Sequence, residues 1–370
     1  MWQALVCLRY RPTCDENGEQ MLRLIVSTDI RLIPIALRSR ARPRLARRFR
    51  AACVLAAAAA AGSLLGVPST PAFGAEMASI GIYRSDDPGS VNTYWIRAPR
   101  GLIVIDSGRE LSSARRAVEL IRREARPVVA ILVTHAHPDH VGGLGVIQDA
   151  FPGAPIYASE TDQQWIETDP EGFFDVTRNA LGDDFAPMVR RPDRVVRRGE
   201  TLRLGGLTIR SAQFGPGEHV SQTLYYLPSS RTLFAGDVVY NEATPALIES
   251  QSCGWLRDLV RLRRRFPRAD LLYPGHGKVN TAASLIDAQA RYLRRFRRLV
   301  RQSVAPDSAG RRRVTAAERR TVVARTERRY PGYLSVAGIT FLNLLENNVD
   351  SIAAELRSEP RPLPRPCRDS

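Results

Sequence analysis

Thr134-His135-Ala136-His137-Pro138-Asp139-His140 holds three of the five histidines in a chain of 370 residues. It follows Val128-Val129-Ala130-Ile131-Leu132-Val133, an apolar, mostly β-branched run that predicts a strand buried on both faces. Three imidazoles and one carboxylate thus leave the end of a rigid element together, in a spacing that chance seldom produces at this histidine frequency. His135 and His137, two apart on extended backbone, point to the same side and can grip one cation. Pro138 turns the chain, so Asp139 and His140 can face a second position close by. Neutral imidazole and carboxylate suit a borderline ion such as zinc. Each position still lacks donors, and His219, Asp237 and His276 are the residues the chain offers.

HAHPDH, then His219 in GPGEHVSQT, Asp237 in LFAGDVVY and His276 in YPGHG, resemble the metallo-β-lactamase superfamily of binuclear metallohydrolases. Upstream, Ile103-Val104-Ile105-Asp106-Ser107-Gly108 resembles its first motif, a strand ending in an aspartate. The resemblance covers roughly residues 76–300. It implies one ion held by His135, His137 and His219, a second held by Asp139, His140 and His276, and Asp237 between the two. The ions expected are two Zn²⁺, with iron or manganese as the other metals to consider. The resemblance further implies attack by a shared hydroxide on a carbonyl, with Asp139 as the catalytic proton carrier. Asp106 is expected to brace the HAHPDH loop by hydrogen bonds without touching metal. His137, where flavin-linked di-iron relatives have glutamate, implies hydrolysis. Asp237, where antibiotic-degrading members have cysteine or serine, resembles glyoxalase II and lactonases. The substrate would be a small ester, lactone, thioester or amide. Phosphodiester hydrolysis, an iron-dependent sulfur dioxygenase and a non-catalytic metal-binding module stay open as alternatives. Tyr240 and Asn241, just past Asp237, are candidate donors to a substrate oxygen, although a Tyr at a strand end more often packs.

Around these motifs the pattern is α/β. Strands are predicted at 78–83, 92–97, 102–105 and 155–158, with helices at 110–124 and 141–150, where Gly142-Gly143 permits close backbone approach. Residues 159–193 are less regular, with Trp165, Phe173, Phe174, Phe185 and Met188 set among Asp, Gly and Pro, which suits a lid or a helical excursion of the core. Hairpins at 202–204/207–212 and 223–227/232–235, a helix at 255–266 and a strand at 270–273 repeat the first half's order. Two similar halves predict a four-layer αββα sandwich, the fold the resemblance also implies, with the ligands along one edge. Helices at 283–301, 315–328 and 336–356 follow, the last carrying Phe341 and Leu342, and then a Pro-rich tail expected to be disordered. The expected division is a targeting segment (1–75), a catalytic domain (76–300), a C-terminal helical extension (301–357) and the tail (358–370).

The formal charge of +16 invites a nucleic-acid reading until it is apportioned. Residues 1–75 carry 11 Arg against 4 acidic residues, and the rest of the excess is spread over helices rich in both signs, with Lys278 the single lysine. Dispersed arginine gives no phosphate-tracking stripe, so no nucleic-acid partner is expected. The Arg-rich run 38–50, the apolar stretch 51–65 and the small residues up to Ala75 read as an export signal to the periplasm or exterior, with an uncleaved membrane anchor as the alternative. Removal of that segment would leave two cysteines, Cys253 and Cys367, whose pairing the sequence leaves open. The sequence sets no oligomeric state.

Overall fold

This computed structural model describes residues 8–14, 20–26, 79–304, 313–336, 343–359 and 362–368. The expected export signal at 38–75 lies outside the described residues, as do Phe341 and Leu342. The chain divides into two units, Met1–Glu76 and Met77–Ser370. In the first, β1 (Leu8–Cys14) pairs antiparallel with β2 (Gln20–Val26). No helix among the described residues is long and apolar enough to cross a membrane.

The second unit opens with β3 (Ile80–Tyr83), β4 (Thr93–Ala98), β5 (Gly101–Ile105), α1 (Leu111–Arg123) and β6 (Val128–Leu132). Then come α2 (Pro138–Val141), α3 (Leu144–Ala150), β7 (Ile156–Ala158), α4 (Glu160–Thr168), α5 (Phe173–Leu181) and β8 (Arg194–Val195). Its later part holds β9 (Thr201–Leu204), β10 (Leu207–Phe214), β11 (Gln222–Leu227), β12 (Thr232–Gly236), β13 (Ala243–Thr244) and α6 (Ser252–Arg265). It closes with β14 (Leu271–Pro274), β15 (Asn280–Thr281), α7 (Ala282–Ser303), α8 (Ala316–Arg329), β16 (Leu334–Ser335) and α9 (Leu344–Ser358).

Two six-stranded mixed sheets result, ordered β3-β4-β5-β6-β7-β8 and β15-β14-β12-β11-β10-β9. Alternation along each strand explains the layering. Ile103 and Ile105 of β5 face inward to meet Tyr225, Leu227 and Phe234 of the other sheet. Leu102 and Val104 face outward onto Val118 and Ile121 of α1 and Leu144 and Ile147 of α3. On the far side, α6, α7 and α9 bury Trp255, Leu259, Leu293, Phe296 and Ile352 against the second sheet. The four layers of an αββα sandwich are therefore present, with the C-terminal helices thickening one outer layer.

The helix expected over 141–150 is broken at Gly142-Gly143 into α2 and α3. These glycines let the backbone pass against Arg109 O and Ser107 O, and a Cβ on either would sit under 3.0 Å from those carbonyls. Backbone oxygens cannot swing away as a side-chain tip can, so Gly142→Ala or Gly143→Ala should cost about 1–3 kcal/mol. Urea titration checks this, and a variant with the parent's midpoint would contradict it.

The tail corrects an expectation. Among the described residues beyond Ser358, Cys367 is buried and forms a disulfide with Cys253 at the start of α6. Buried Arg297 of α7 donates to Ser252 Oγ (2.6 Å) and pairs with Glu355 (3.2 Å) and Glu359. Glu355 in turn accepts from the amides of Ser252 and Cys253, completing the N-terminus of α6. Asn348 of α9 accepts from Leu247 N and donates to Pro245 O, both at 2.8 Å. The C-terminal segment is thereby stitched to the 245–253 loop.

Candidate metal centre

The functional side chains gather at one end of both sheets because four strands deliver them there. The parallel neighbours β5 and β6 end at Asp106 and in the HAHPDH loop. Their counterparts β12 and β14, also parallel, end at Asp237 and two residues before His276. Antiparallel β11 begins at that same end, just after His219. Carboxyl ends of parallel strands are the usual place for ligands in α/β sheets, since the loops there are free of pairing duties. The two halves are tied together by Thr223 N donating to Thr134 O (2.7 Å) and Tyr225 Oη donating to Val133 O (2.8 Å).

Each imidazole is held from outside by one nitrogen. The amide and hydroxyl of Thr134 donate to the two oxygens of Asp106, whose Oδ2 also lies 2.9 Å from His140 Nδ1. Asp106, itself at positive φ, thus grips both the loop and one ring. His276 Nδ1 is 3.1 Å from Pro88 O, and His135 Nδ1 is 3.2 Å from Thr134 Oγ1. Glu249 Oε1 takes two rings at once, lying 3.0 Å from His137 Nε2 and 2.8 Å from His219 Nδ1. A nitrogen facing such an outer acceptor carries a proton, which leaves the second nitrogen of each ring to face the cluster, His137 Nδ1 toward Glu218 Oε1 and His276 Nε2 toward Asp139 Oδ2. The inward-facing atoms are then Nε2 of His135, His140, His219 and His276, and Nδ1 of His137.

Those atoms converge with carboxylates. Asp139, His140, Asp237 and His276 each place a donor within 4.8 Å of the others, and so do His135, His137 and Glu218. His219 joins His137 and Glu249 in a third such group. Buried His140 Nε2, His219 Nε2 and Asp237 Oδ1 have no hydrogen-bond partner, although the first and last lie 3.3 Å apart. Buried polar atoms are nearly always satisfied, so three unpartnered donors in one cluster fit a cation-binding site. Nitrogen and oxygen donors at this density fit divalent zinc, iron or manganese.

The charges are interlocked. Burial works against a charged His137, but Glu218 and Glu249 outweigh it and carry its pKa well above the ordinary value. Burial would raise Glu249, yet His219 and His137 hold it at about 2. Burial pushes Glu218 up to about 7 against the pull of His137. His276 resists burial through Asp237 and Asp139 and rises to about 9. Burial would raise Asp237 as well, but His140 and His276 hold it well below the carboxylate range.

An open cleft of about 490 Å³ meets this cluster. His137, Asp139, Glu218, Asp237 and Tyr240 form its polar end, and Phe173, Ala246, Ile248, Val336 and Leu344 its apolar wall. Tyr240 Oη donates to Asp237 Oδ2 (2.9 Å) and its ring stacks on His276, so this side chain both packs and faces the cleft. Asn241 does not line the cleft: its side chain donates to Lys278 O and its amide to His276 O, which shapes the His276 turn. The 159–193 aromatics divide. Phe174 and Phe185 join the core, while Trp165 packs edge-on against His219 and Phe173 against His137. Met188 is 82% exposed.

Glu218 and Glu249 were not anticipated from sequence. Glutamate is common on surfaces, and only the adjacency of Glu218 to His219 offered a signal; Glu249 offered none.

The sequence profile of the metallo-β-lactamase superfamily matches residues 86–276. A probable metallo-hydrolase of Streptococcus pyogenes is 26% identical over 197 residues, covering 51% of this chain and 80% of that protein. A hydroxyacylglutathione hydrolase of Bdellovibrio bacteriovorus is 24% identical, covering 48% of this chain and 59% of its own. Among solved structures, the BLEG-1 B3 metallo-β-lactamase is 22% identical and superposes with a TM-score of 0.48, over 56% of this chain and 97% of that one.

Proposed function

The chain belongs to the metallo-β-lactamase superfamily and is an enzyme of its metallo-hydrolase kind, and we propose that it is an exported hydrolase that uses two divalent ions, zinc first among them, on small carbonyl substrates. The observation that carries this is the set of five inward-facing ring nitrogens with orphaned buried atoms at the mouth of a cleft. His135, His137 and His219 would hold one ion, and Asp139, His140 and His276 the other, with Asp237 between them. When bound, such cations make hydroxide available at neutral pH and polarise a carbonyl.

The chain's own residues supply the rest. Glu249 and Asp106 fix ring orientation, and Tyr240 steadies Asp237. Asp139, 15% exposed and on the cleft, is placed to hand a proton to the leaving group. The wall of Phe173, Ala246, Ile248, Val336 and Leu344 favours an ester, lactone, thioester or amide that carries an apolar substituent. Export is supported by the Arg-rich, then apolar, then small-residue order of 38–75 and by the Cys253–Cys367 disulfide, which suits an oxidising compartment.

The test is turnover of a β-lactam, a lactone, a thioester and a phosphodiester by the zinc-loaded protein. Carbonyl substrates with apolar substituents should be cleaved, and chelation should abolish the activity. Cleavage of the phosphodiester alone, or of none with both ions bound, would overturn the proposal.

A further inference from the structure

We propose that Glu218 is a fourth protein donor to the first ion, so that this position is built from three imidazoles and a carboxylate. The inference rests on reading the cluster as a metal centre. Glu218 is buried to 1% side-chain exposure, yet it reaches the cleft between the two leading histidines. Its Oε1 is 3.1 Å from His137 Nδ1, its Oε2 is 3.5 Å from His135 Nε2, and those two nitrogens are 3.1 Å apart. Donors about 2.1 Å from one ion at tetrahedral angles stand about 3.4 Å from each other, and closer in higher coordination. The triangle has the size of a coordination shell.

Its polarity leads to the same conclusion. His137 Nε2 and His219 Nδ1 are committed to Glu249, so His137 Nδ1 and His135 Nε2 are the nitrogens left to face each other and the Glu218 carboxylate at these separations. Acceptors this close require positive charge among them, supplied by a proton on His137 or by a bound cation. The carboxylate is also aimed deliberately. Gln222 Nε2 donates to Glu218 Oε2, while Gln222 Oε1 accepts from Asp237 N (3.0 Å). One side-chain amide therefore ties the Glu218 carboxylate to the backbone of Asp237 in the other half of the centre and leaves Glu218 Oε1 to face inward.

Glu249 is the contrasting case. It lies on the far nitrogens of His137 and His219, where it orients the rings. Glu218 lies on the near side, against His135 Nε2 and His137 Nδ1. An anionic fourth donor should tighten the first ion and change its coordination number from that of three neutral imidazoles.

The experiment is stepwise metal binding by the full chain, with Zn²⁺ competed against a chromophoric chelator and Co²⁺ followed by its visible absorption. Glu218→Ala and the near-isosteric Glu218→Gln are compared with the parent, and circular dichroism reports folding. Both variants should bind one equivalent with parental affinity and the other at least ~10-fold more weakly, with an altered Co²⁺ band for that equivalent. Two equivalents bound with parental affinity and an unchanged band in either folded variant would overturn the assignment. A parent chain that binds no metal would instead overturn the underlying reading, and the assignment with it.

Discussion

His137→Ala should leave a folded protein without turnover, at least ~10³-fold below the parent, and with no more than one metal equivalent. No other ring in the cluster has as many duties. Its Nδ1 meets His135 Nε2 and Glu218 Oε1, and its Nε2 is held by Glu249, which also holds His219. Removing the ring deletes a donor, frees a buried carboxylate and loosens the orientation of a second imidazole. The change in metal affinity should therefore exceed that of losing one ligand from an otherwise intact shell. The ring also carries Phe173 of α5 on its face, so the cleft wall shifts with it. Metal analysis and a turnover assay on the same preparation check this. Parental kcat in the alanine variant would contradict the role given to the ring.

Loss of the Cys253–Cys367 disulfide should have the largest effect on stability. The two residues are 114 apart in sequence, and closing so long a loop stabilises the folded state by about 4–5 kcal/mol on chain-entropy grounds. The double variant Cys253→Ala/Cys367→Ala should therefore melt on the order of 10 °C lower. The consequence reaches the active end, because the same segment carries Leu344 of the cleft wall and anchors the loop bearing Glu249 through Asn348 and Glu355. KM for substrates with apolar substituents should rise more than for compact ones. Calorimetry with the double variant and the parent at equal metal loading checks the first expectation. A melting temperature unchanged within about 2 °C would contradict it.

The fold was legible where periodicity and chemistry agreed. The run 128–133 reads as a buried strand because every residue is apolar and most are β-branched, and β6 occupies it. HAHPDH, His219, Asp237 and His276 stood out because histidine is scarce in this chain and each lies at a strand end. Tyr240 and Asn241, adjacent in sequence, proved to have opposite orientations that no local pattern encodes. Glu218 and Glu249 were missed for a different reason: a carboxylate's meaning is set by the rings around it, and most of those come from distant strands. The tail from Ser358 misled because composition weighs only local preferences, whereas one covalent bond and the Arg297–Glu359 pairing override them. In the 159–193 stretch, aromatic content signalled burial but could not divide Phe174 and Phe185, which fill the core, from Trp165 and Phe173, which flank the histidines.

The central claim is that rings and carboxylates carried by separate strands surround a pair of cations. Elemental analysis of the purified protein, with X-ray absorption at the metal edge, tests it most directly. The account predicts two equivalents of divalent metal per chain, coordinated by nitrogen and oxygen only, and a close metal–metal scattering pair. A fully active preparation holding well under one equivalent, or metal bound through sulfur, would contradict it.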